Sequence, residues 1–375
     1  MLRTPSSSTE HHPPSELPSF ETPAGLVDLH RVRSNTTKVV TYLQQHDLSW
    51  RPHVKTHKSR AIAEIQLAEG AKGLTVATLQ EAEAMAPLGA DLLLAHPPVG
   101  YAKGRRLRSF LERHPLGIAL DSSESLETVG EAARLVGRKV EVLIEVDVGM
   151  MRVGVGGPTA VVALAELAES HPCLEFGGIL FYPGHIRSTG PGAVEALEEV
   201  SNRIDPILGA LEEAGLPAGV VSGGSTPTLW QSHRIRGMTE VRAGTCAFHD
   251  RDTLGLEICE EGDIAYSVLT TVVSTAVPGQ AVVDAGSKAL SREELRSGGA
   301  GFGLVVEHPE VVVARVSEEH GILDLSGSSW RPRVGERIRI VPNHVCVSVN
   351  LQDRLLAPGA GGVREIPLEG RGRVR

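Results

Sequence analysis

Between residue 20 and about residue 250 the sequence repeats one grammar: a short apolar run, a polar or glycine-rich break, then a longer amphipathic stretch. The apolar runs are Pro52–Val54, Leu74–Ala77, Leu92–Ala95, Gly117–Leu120, Val142–Val146, Phe176–Phe181, Gly219–Val221 and Thr239–Val241. Between them Arg60–Leu67, Leu79–Met85, Ser125–Leu135, Ala160–Ala168 and Ala193–Leu211 carry apolar residues three and four apart, the period of a helix with one buried face. Pro206 lies inside the last, where it predicts a kink or a split. Strands alternating with helices predict a parallel sheet, because parallel neighbours need a connection long enough for a crossover helix. Eight such strands predict an α/β fold of the (β/α)8 TIM-type barrel class. A doubly wound open sheet is the alternative.

After about residue 260 the pattern changes. Tyr266–Ala276, Ala281–Asp284, Val311–Val316 and Arg337–Leu351 are β-branched runs punctuated by Gly and Pro, which predicts a second, mostly β domain. The extended segment Pro18–Leu26 is expected to pair into it. The predicted organisation is a disordered tail over 1–17, an extended segment over 18–28 joining the β domain, a barrel over 29–255, a β domain over 256–358 and a loose tail over 359–375. The first tail, rich in Ser, Pro and His, cannot recover the entropy of ordering, and its His11 and His12 read as part of a solvated stretch.

Composition excludes several functions. The formal charge is 37 − 46 = −9 and aromatic residues make up 3%, so neither phosphate attraction nor base stacking favours nucleic acid. No apolar run approaches a membrane span, and the amino terminus has the wrong order for a secretory signal, so a cytoplasmic protein is expected. Cys173, Cys246, Cys259 and Cys346 form no CxxC pair and no disulfide framework.

Barrel chemistry collects in the loops at the carboxyl ends of the strands. There the sequence places Lys55, Thr78, His96, Asp121, Asp147–Arg152, Tyr182–His185, Ser222–Thr226 and Arg242–Thr245. Lys55, in RPHVKTHKS, follows the first predicted strand, where desolvation and neighbouring cations would favour a neutral, nucleophilic amine able to form a Schiff base. A surface lysine is the plain alternative, with His53 and His57 as core or supporting residues. SGGST (Ser222–Thr226) and RAGT (Arg242–Thr245) follow strands seven and eight, where barrels commonly hold phosphate on backbone amides and hydroxyls. In EVDVGMMRVG, Arg152 could hold a phenolate or carboxylate, or pair structurally with Asp147.

PNHVCVSVNL, Pro342–Leu351, alternates in a way that predicts a strand with His344, Cys346, Ser348 and Asn350 on one face. An imidazole and a thiolate so placed favour zinc over hard cations, and two protein ligands leave positions for water or substrate. His320 and the loop Asp284–Lys288 either support a site or make turns.

Taken together, ETPAGLVDL, RPHVKTHKS, TVATLQEAEAM, EVDVGMMRVGV, LFYPGH, SGGSTPT, EVRAGTCAFHD, DAGSKALS, SEEHG and PNHVCVSVNLQD resemble, in order, the D-serine dehydratase and D-threonine aldolase group. These are alanine racemase-like, fold-type III pyridoxal-phosphate enzymes. The resemblance covers nearly the whole chain between its tails. It implies a pyridoxal-phosphate barrel followed by a β domain, paired as a head-to-tail homodimer. It implies Lys55 as the Schiff-base lysine, Arg152 near the cofactor's phenolic oxygen and Tyr182 close to the ring. Ser225, Thr226, Gly244 and Thr245 correspond to the phosphate site. His344 and Cys346 match the zinc pair of the dehydratases, whereas the aldolases often carry an aspartate at the second position and use a harder divalent ion. Cys246 departs from the group, where an aromatic residue frequently follows the Gly-Thr; it reads as packing.

The implied reaction is a zinc-assisted β-elimination from a D-β-hydroxy amino acid such as D-serine, giving an oxoacid and ammonia. Retro-aldol cleavage of a D-threonine-like substrate and dehydration of 3-hydroxyaspartate are the alternatives. A non-catalytic pyridoxal-phosphate carrier would generally lack the second domain and the metal pair. A racemase needs a second base, and Tyr266, the only tyrosine after residue 260, lacks a matching motif.

Overall fold

The computed structural model describes residues 20–359 and 362–375, so the tail expected over 1–17 lies outside the described residues. The described chain forms two compact units. One comprises the residues up to Arg31, Phe248–Gly255 and Cys259–Ile366; the other comprises Val32–Ala247, Leu256–Ile258 and Pro367–Arg375.

The chain opens with β1 (Ala24–Val27) and α1 (Leu29–Gln44), then enters the barrel. Its strands are β2 (Ser49–Trp50), β3 (Leu74–Val76), β4 (Leu92–Leu94), β5 (Gly117–Leu120), β6 (Val140–Val146), β7 (Leu174–Phe181), β8 (Val220–Gly223) and β9 (Glu240–Val241). The intervening helices are α2 (Arg60–Ala68), α3 (Leu79–Met85), α4 (Tyr101–Leu111), α5 (Ser123–Val136), α6 (Pro158–Ser170) and α7 (Pro191–Glu213). The eight strands pair in parallel in the order β2-β9-β8-β7-β6-β5-β4-β3. A parallel bridge from His53 to Thr75 and the Thr75 N–H bond to Pro52 O (2.9 Å) close the ring. The predicted (β/α)8 class is therefore the observed one.

The first strand is not where the sequence puts it. Pairing occurs at Ser49–Trp50, while Pro52 has no N–H to give and Val54 already starts a 3₁₀ turn. Local signals set the helix ends: Ser122 accepts the Ser125 N–H at the start of α5, and Gly137 ends it at φ +65°. Pro206 does not break α7, whose Ile204, Ile207 and Leu211 continue one buried face.

Strand parity sorts the core. Val142, Ile144 and Val146 of β6 face the layer beneath the helices, whereas Leu143 packs with Leu93, Ala119 and Leu180 as an apolar plug inside the barrel. Glu145, two residues beyond Leu143, shares its inward parity. Glu240 and Arg242 likewise alternate with the outward Val241.

The other unit is mostly β, with three short helices, α8 (Arg251–Gly255), α9 (Ser287–Leu290) and α10 (Val345–Asn350). Its strands are β10 (Tyr266–Ser274), β11 (Gln280–Val283), β12 (Gly303–Val305), β13 (Val313–Val316), β14 (Gly321–Asp324), β15 (Arg337–Pro342), β16 (Arg354–Gly359) and β17 (Gly362–Pro367). With β1 they make a nine-stranded sheet, β13-β14-β11-β10-β1-β16-β17, in which β15 also pairs β10 and β12. β1 runs antiparallel to β10, with Leu26 in parallel register with Leu356.

Two boundaries differ from expectation. Phe248–Gly255, expected in the barrel, packs with the β unit, because Ala265 N–H bonds Phe248 O (2.8 Å) and Asp252 N–H bonds Asn343 O (3.2 Å). The tail expected to be loose from 359 onward is instead structured where described. β17 buries Ile366, and the residues after it bond the barrel unit through Gly370 N–H to Lys58 O (2.8 Å) and Thr78 Oγ1 to Arg373 O (2.7 Å). Arginine and glycine dominate its composition, but alternate apolar residues and backbone bonds decide its structure. No helix of the described residues is long and apolar enough to cross a membrane.

Candidate active site

In the barrel unit, Lys55 sits in the 3₁₀ turn Val54–Thr56 that follows the closing bridge. The turn is tied by N–H bonds from His57 (3.1 Å) and Lys58 (2.7 Å) to Val54 O. The Lys55 N–H points to His53 Nδ1 at 3.5 Å. Burial, then the charges of Lys55, Arg242 and Lys58, hold His53 well below the usual imidazole range, so it stays neutral beneath the turn. His57 is also neutral: burial pushes it down to about 4, its Nδ1 accepts the Ser59 N–H and its Nε2 faces Gln66 Oε1 at 3.1 Å. Lys58, left-handed at φ +53°, buries its ammonium against Glu81 at 2.5 Å. The exposed member of this basic run is Lys55 itself.

Three of the predicted residues meet at one ring. Lys55 Nζ lies 5.9 Å and Arg152 Cζ 5.0 Å from the centroid of Tyr182, which follows β7. Asp147 does not pair with Arg152; its carboxylate accepts backbone N–H groups of the same loop.

The two glycine loops are also brought together. Cys246 N–H bonds Thr226 Oγ1 (3.3 Å), and Ser225 N–H bonds Thr228 Oγ1 (3.0 Å). Gly244 has no room for a side chain: a Cβ there would stand 2.5 Å from His53 O and 3.1 Å from Thr56 Oγ1, so this glycine lets the RAGT loop press against the lysine turn. Ser225, Thr226 and Gly244 are buried and Thr245 is partly exposed. Among the described residues, the N–H groups of Thr226 and Gly244 find no acceptor. Buried amides and hydroxyls so arranged fit an anion such as a phosphate ester, since leaving them unpaired is costly. Cys246 is packing: it is fully buried, and burial pushes its thiol up to about 12.

Arg242, to which the sequence assigned no role beyond its motif, is the buried cation of this site. It donates to Ser222 Oγ and Phe181 O, both at 2.9 Å. Burial pushes it down to about 10 even with Glu240 and Glu145 opposing. A hydrogen-bonded chain continues from Ser222 to Glu240 (2.7 Å), from Glu240 to Arg51 (2.9 Å) and from Arg51 to Asp91 (2.8 Å). Burial raises the Glu145 carboxyl, while Arg242 and Arg152 lower it. Inward parity after an apolar plug was the sequence signal for this layer.

In the β unit, PNHVCVSVNL is not a strand. β15 ends at Pro342, His344 caps α10 and Cys346 is that helix's second residue. The helix buries Val345, Ser348 and Val349, spaced three and four apart. Its β-branched alternation was overridden by packing and by Asp250, whose Oδ2 takes the Val345 N–H (3.0 Å) and faces His344 Nδ1 (3.1 Å). Cys346 and His344 nevertheless remain neighbours. The Cys346 sulfur is the largest influence on His344, which it and Asp250 together push up to about 11 against burial. Asp250 is the supporting residue that sequence reasoning missed. Its other oxygen accepts the N–H (2.9 Å) and hydroxyl (3.0 Å) of Thr253, and although burial raises its carboxyl, the bonds from His344, Thr253 and Val345 hold it below its ordinary range. A carboxylate on Nδ1 leaves Nε2 for a metal, the usual support for a histidine ligand. Among the described residues no group of three His, Cys, Asp or Glu is arranged to hold a metal ion, so the candidate set is this pair.

The remaining candidates resolve as structure. Asp284 accepts from Thr270 Oγ1 (2.6 Å), the Thr271 N–H (2.9 Å) and Thr22 Oγ1 (2.5 Å), and Lys288 pairs with Glu319. Tyr266 is core, its hydroxyl 2.8 Å from Ser348 Oγ and its ionisation opposed by burial.

A parallel barrel bearing a lysine turn and an anion cradle, with a second β unit, is the architecture of the alanine racemase class, and the comparisons agree. Residues 27–252 match the family model of the alanine racemase N-terminal domain, and residues 265–357 match a serine dehydratase domain. By sequence the chain is 35% identical over 350 residues to D-threo-3-hydroxyaspartate dehydratase of Delftia sp. (strain HT23), covering 88% of this chain and 92% of the relative. It is 29% identical over 361 residues to D-threonine aldolase of Arthrobacter sp (94% and 93%) and 28% identical over 365 residues to D-serine dehydratase of Dictyostelium discoideum (89% and 92%). Among solved structures, D-threonine aldolase from Filomicrobium marinum superposes with a TM-score of 0.86 at 29% identity, covering 95% of this chain and 97% of that one. A metal-free, cysteine-substituted form of D-threo-3-hydroxyaspartate dehydratase superposes with a TM-score of 0.83 at 33% identity, covering 93% and 97%. The chain belongs to the alanine racemase-like family that carries a serine dehydratase domain, and it is an enzyme of that family's lyase group.

Proposed function

We propose that this enzyme is a pyridoxal-phosphate- and zinc-dependent dehydratase that eliminates the β-hydroxyl of a small D-amino acid, of the D-serine or 3-hydroxyaspartate kind, to give an oxoacid and ammonia. The observation that carries the choice of reaction is the His344–Cys346 pair with Asp250 behind it. A thiolate and an imidazole select a soft ion such as zinc over a hard one, and the metal-free form described for the cysteine-substituted hydroxyaspartate dehydratase supports a metal at that kind of site.

In this reading Lys55 would hold the cofactor, and its amine would move the proton at the substrate's α carbon. The bound cofactor would supply an electron sink for the charge left on that carbon. Arg152 would hold the cofactor's phenolic oxygen, and Tyr182 would pack by its ring. Ser225, Thr226, Gly244 and Thr245 would take its phosphate. Burial around the lysine turn keeps His53 and His57 neutral, and Lys58 is already paired with Glu81, which leaves Lys55 as the exposed amine of the turn. His344 and Cys346 would hold a zinc, or another divalent ion, able to ease departure of the β-hydroxyl as a Lewis acid. The barrel as cofactor domain, the β domain as metal domain, a homodimeric state and a cytoplasmic location belong to the same proposal, on the strength of the family resemblance and the composition.

Retro-aldol cleavage is the rival reading, supported by the likeness to the D-threonine aldolases. Chelation tests the preferred reading. Stripping the metal from the pyridoxal-phosphate-loaded protein is expected to abolish release of ammonia from D-serine while the cofactor's visible absorption persists, and readdition of zinc is expected to restore it. Undiminished elimination after chelation contradicts the proposal.

A further inference from the structure

We infer that Asp147 and Asp121 are positioning residues that shape the Arg152 loop so that its guanidinium stands unpaired over Tyr182, available to an anionic oxygen of the ligand. The loop leaves β6 and returns to it within a few residues. Asp147 N–H bonds Val155 O (3.1 Å) and Val155 N–H bonds Glu145 O (2.9 Å), closing its neck. Inside the neck, one oxygen of Asp147, Oδ1, accepts the N–H groups of both Gly149 (3.0 Å) and Met151 (2.9 Å). Asp121, just beyond β5, gives Oδ2 to the N–H of Gly154 (3.0 Å).

These bonds fix the backbone of the loop in one arrangement. Gly149 (φ +114°), Met151 (φ +53°) and Gly154 (φ +100°) all lie in the left-handed region. Gly154 cannot be replaced cheaply, since a Cβ there would come within 2.6 Å of Asp147 N. Met151 is not a glycine, and its side chain is 88% exposed, so packing does not hold it. Its N–H bond to Asp147 does. A left-handed non-glycine residue imposed by its surroundings and adjacent to a candidate ligand-binding arginine is a recurrent mark of preorganisation.

The charge arrangement has the same sense. Asp147 lies five residues before Arg152 and could have neutralised it, yet its carboxylate is committed to amides, as is Asp121 Oδ2. Among the described residues Arg152 has no hydrogen-bond or ion-pair partner; it is exposed, stands 5.0 Å from the Tyr182 ring and lies within electrostatic reach of Glu145. The two aspartates thus aim the guanidinium without quenching it, which is what binding a ligand's oxyanion requires.

This inference rests on the cofactor reading of the site, and a double-mutant cycle separates the two. Dissociation constants for pyridoxal phosphate are measured for wild type, Asp147→Ala, Asp147→Asn, Asp121→Ala, Arg152→Ala and the Asp147→Ala/Arg152→Ala double variant, with melting temperatures as a control for folding. Asp147→Ala is expected to weaken cofactor binding about tenfold, the scale of losing a supporting residue. Asp147→Asn, which keeps an acceptor oxygen, is expected to stay near wild type. The double variant is expected to bind no more weakly than Arg152→Ala alone. Asp147→Ala equal to wild type, or costing as much in the Arg152→Ala background as in wild type, overturns the inference while leaving the cofactor reading intact. Arg152→Ala equal to wild type overturns the cofactor role of that arginine and the inference together.

Discussion

His57 shows how burial alone can fix a protonation state. Enclosed behind the lysine turn, it is pushed down to about 4 from the ordinary imidazole value of 6.5, so between those values the unfolded chain binds a proton that the folded chain does not. Stability contributed by the neutral imidazole is therefore complete above about pH 6.5 and is lost as pH falls toward 4. The span of 6.5 − 4 = 2.5 units corresponds to roughly 3 kcal/mol. Replacing His57 with Gln is expected to flatten the fall in unfolding free energy over that window by this order, as read from urea titrations at several pH values; an unchanged slope contradicts the burial argument. At this scale the sequence is legible where a residue sits in a specific motif: Lys55, Arg152 and Tyr182, from three separate motifs, stand around one ring. It is less legible for carboxylates. The sequence offers Asp147 as a partner for Arg152 and gives Asp250 no role of its own, because an acceptor's partners are set by backbone N–H groups that no motif displays.

At the scale of elements, periodicity marks α2, α3, α5, α6, α7 and the central strands, leaves α1 and α4 unmarked, and misreads short segments. The alternation Val345, Val347, Val349 fits a strand as well as a helix; the Asp250 carboxylate, which takes the Val345 N–H at the start of the helix, and the burial of Val345, Ser348 and Val349 select the helix. The first strand moved because Pro52 cannot donate to a ladder. The carboxyl-terminal segment carried the weakest signal, yet it is fastened to the residues around the lysine turn. Gly370 N–H bonds Lys58 O (2.8 Å), Thr78 Oγ1 bonds Arg373 O (2.7 Å), and Gln80 N–H bonds Arg375 O (3.0 Å), while Glu369 accepts the N–H and Nε of Arg60 at 3.0 and 3.1 Å. Deleting residues 369–375 is expected to cost roughly 2 kcal/mol, at about 1 kcal/mol for each buried bond and less for the exposed ones, read as a lower denaturation midpoint. A midpoint that does not move contradicts the role given to this strap.

At the scale of the molecule, the order of motifs along the chain carried more than any one of them. The two glycine loops, the lysine turn and the arginine loop belong to the barrel, and the proposed metal pair, His344 and Cys346, belongs to the β unit, each built by its own elements. What sequence could not divide is the choice between elimination and cleavage, because both reactions draw on nearly the same residues and differ in which bond at the β carbon breaks. The most direct measurement is therefore of products. The pyridoxal-phosphate-loaded protein is incubated with D-serine, D-threonine and D-threo-3-hydroxyaspartate, with and without zinc. The account predicts an oxoacid and ammonia in a metal-dependent reaction; glycine and an aldehyde would contradict it and place the enzyme with the aldolases.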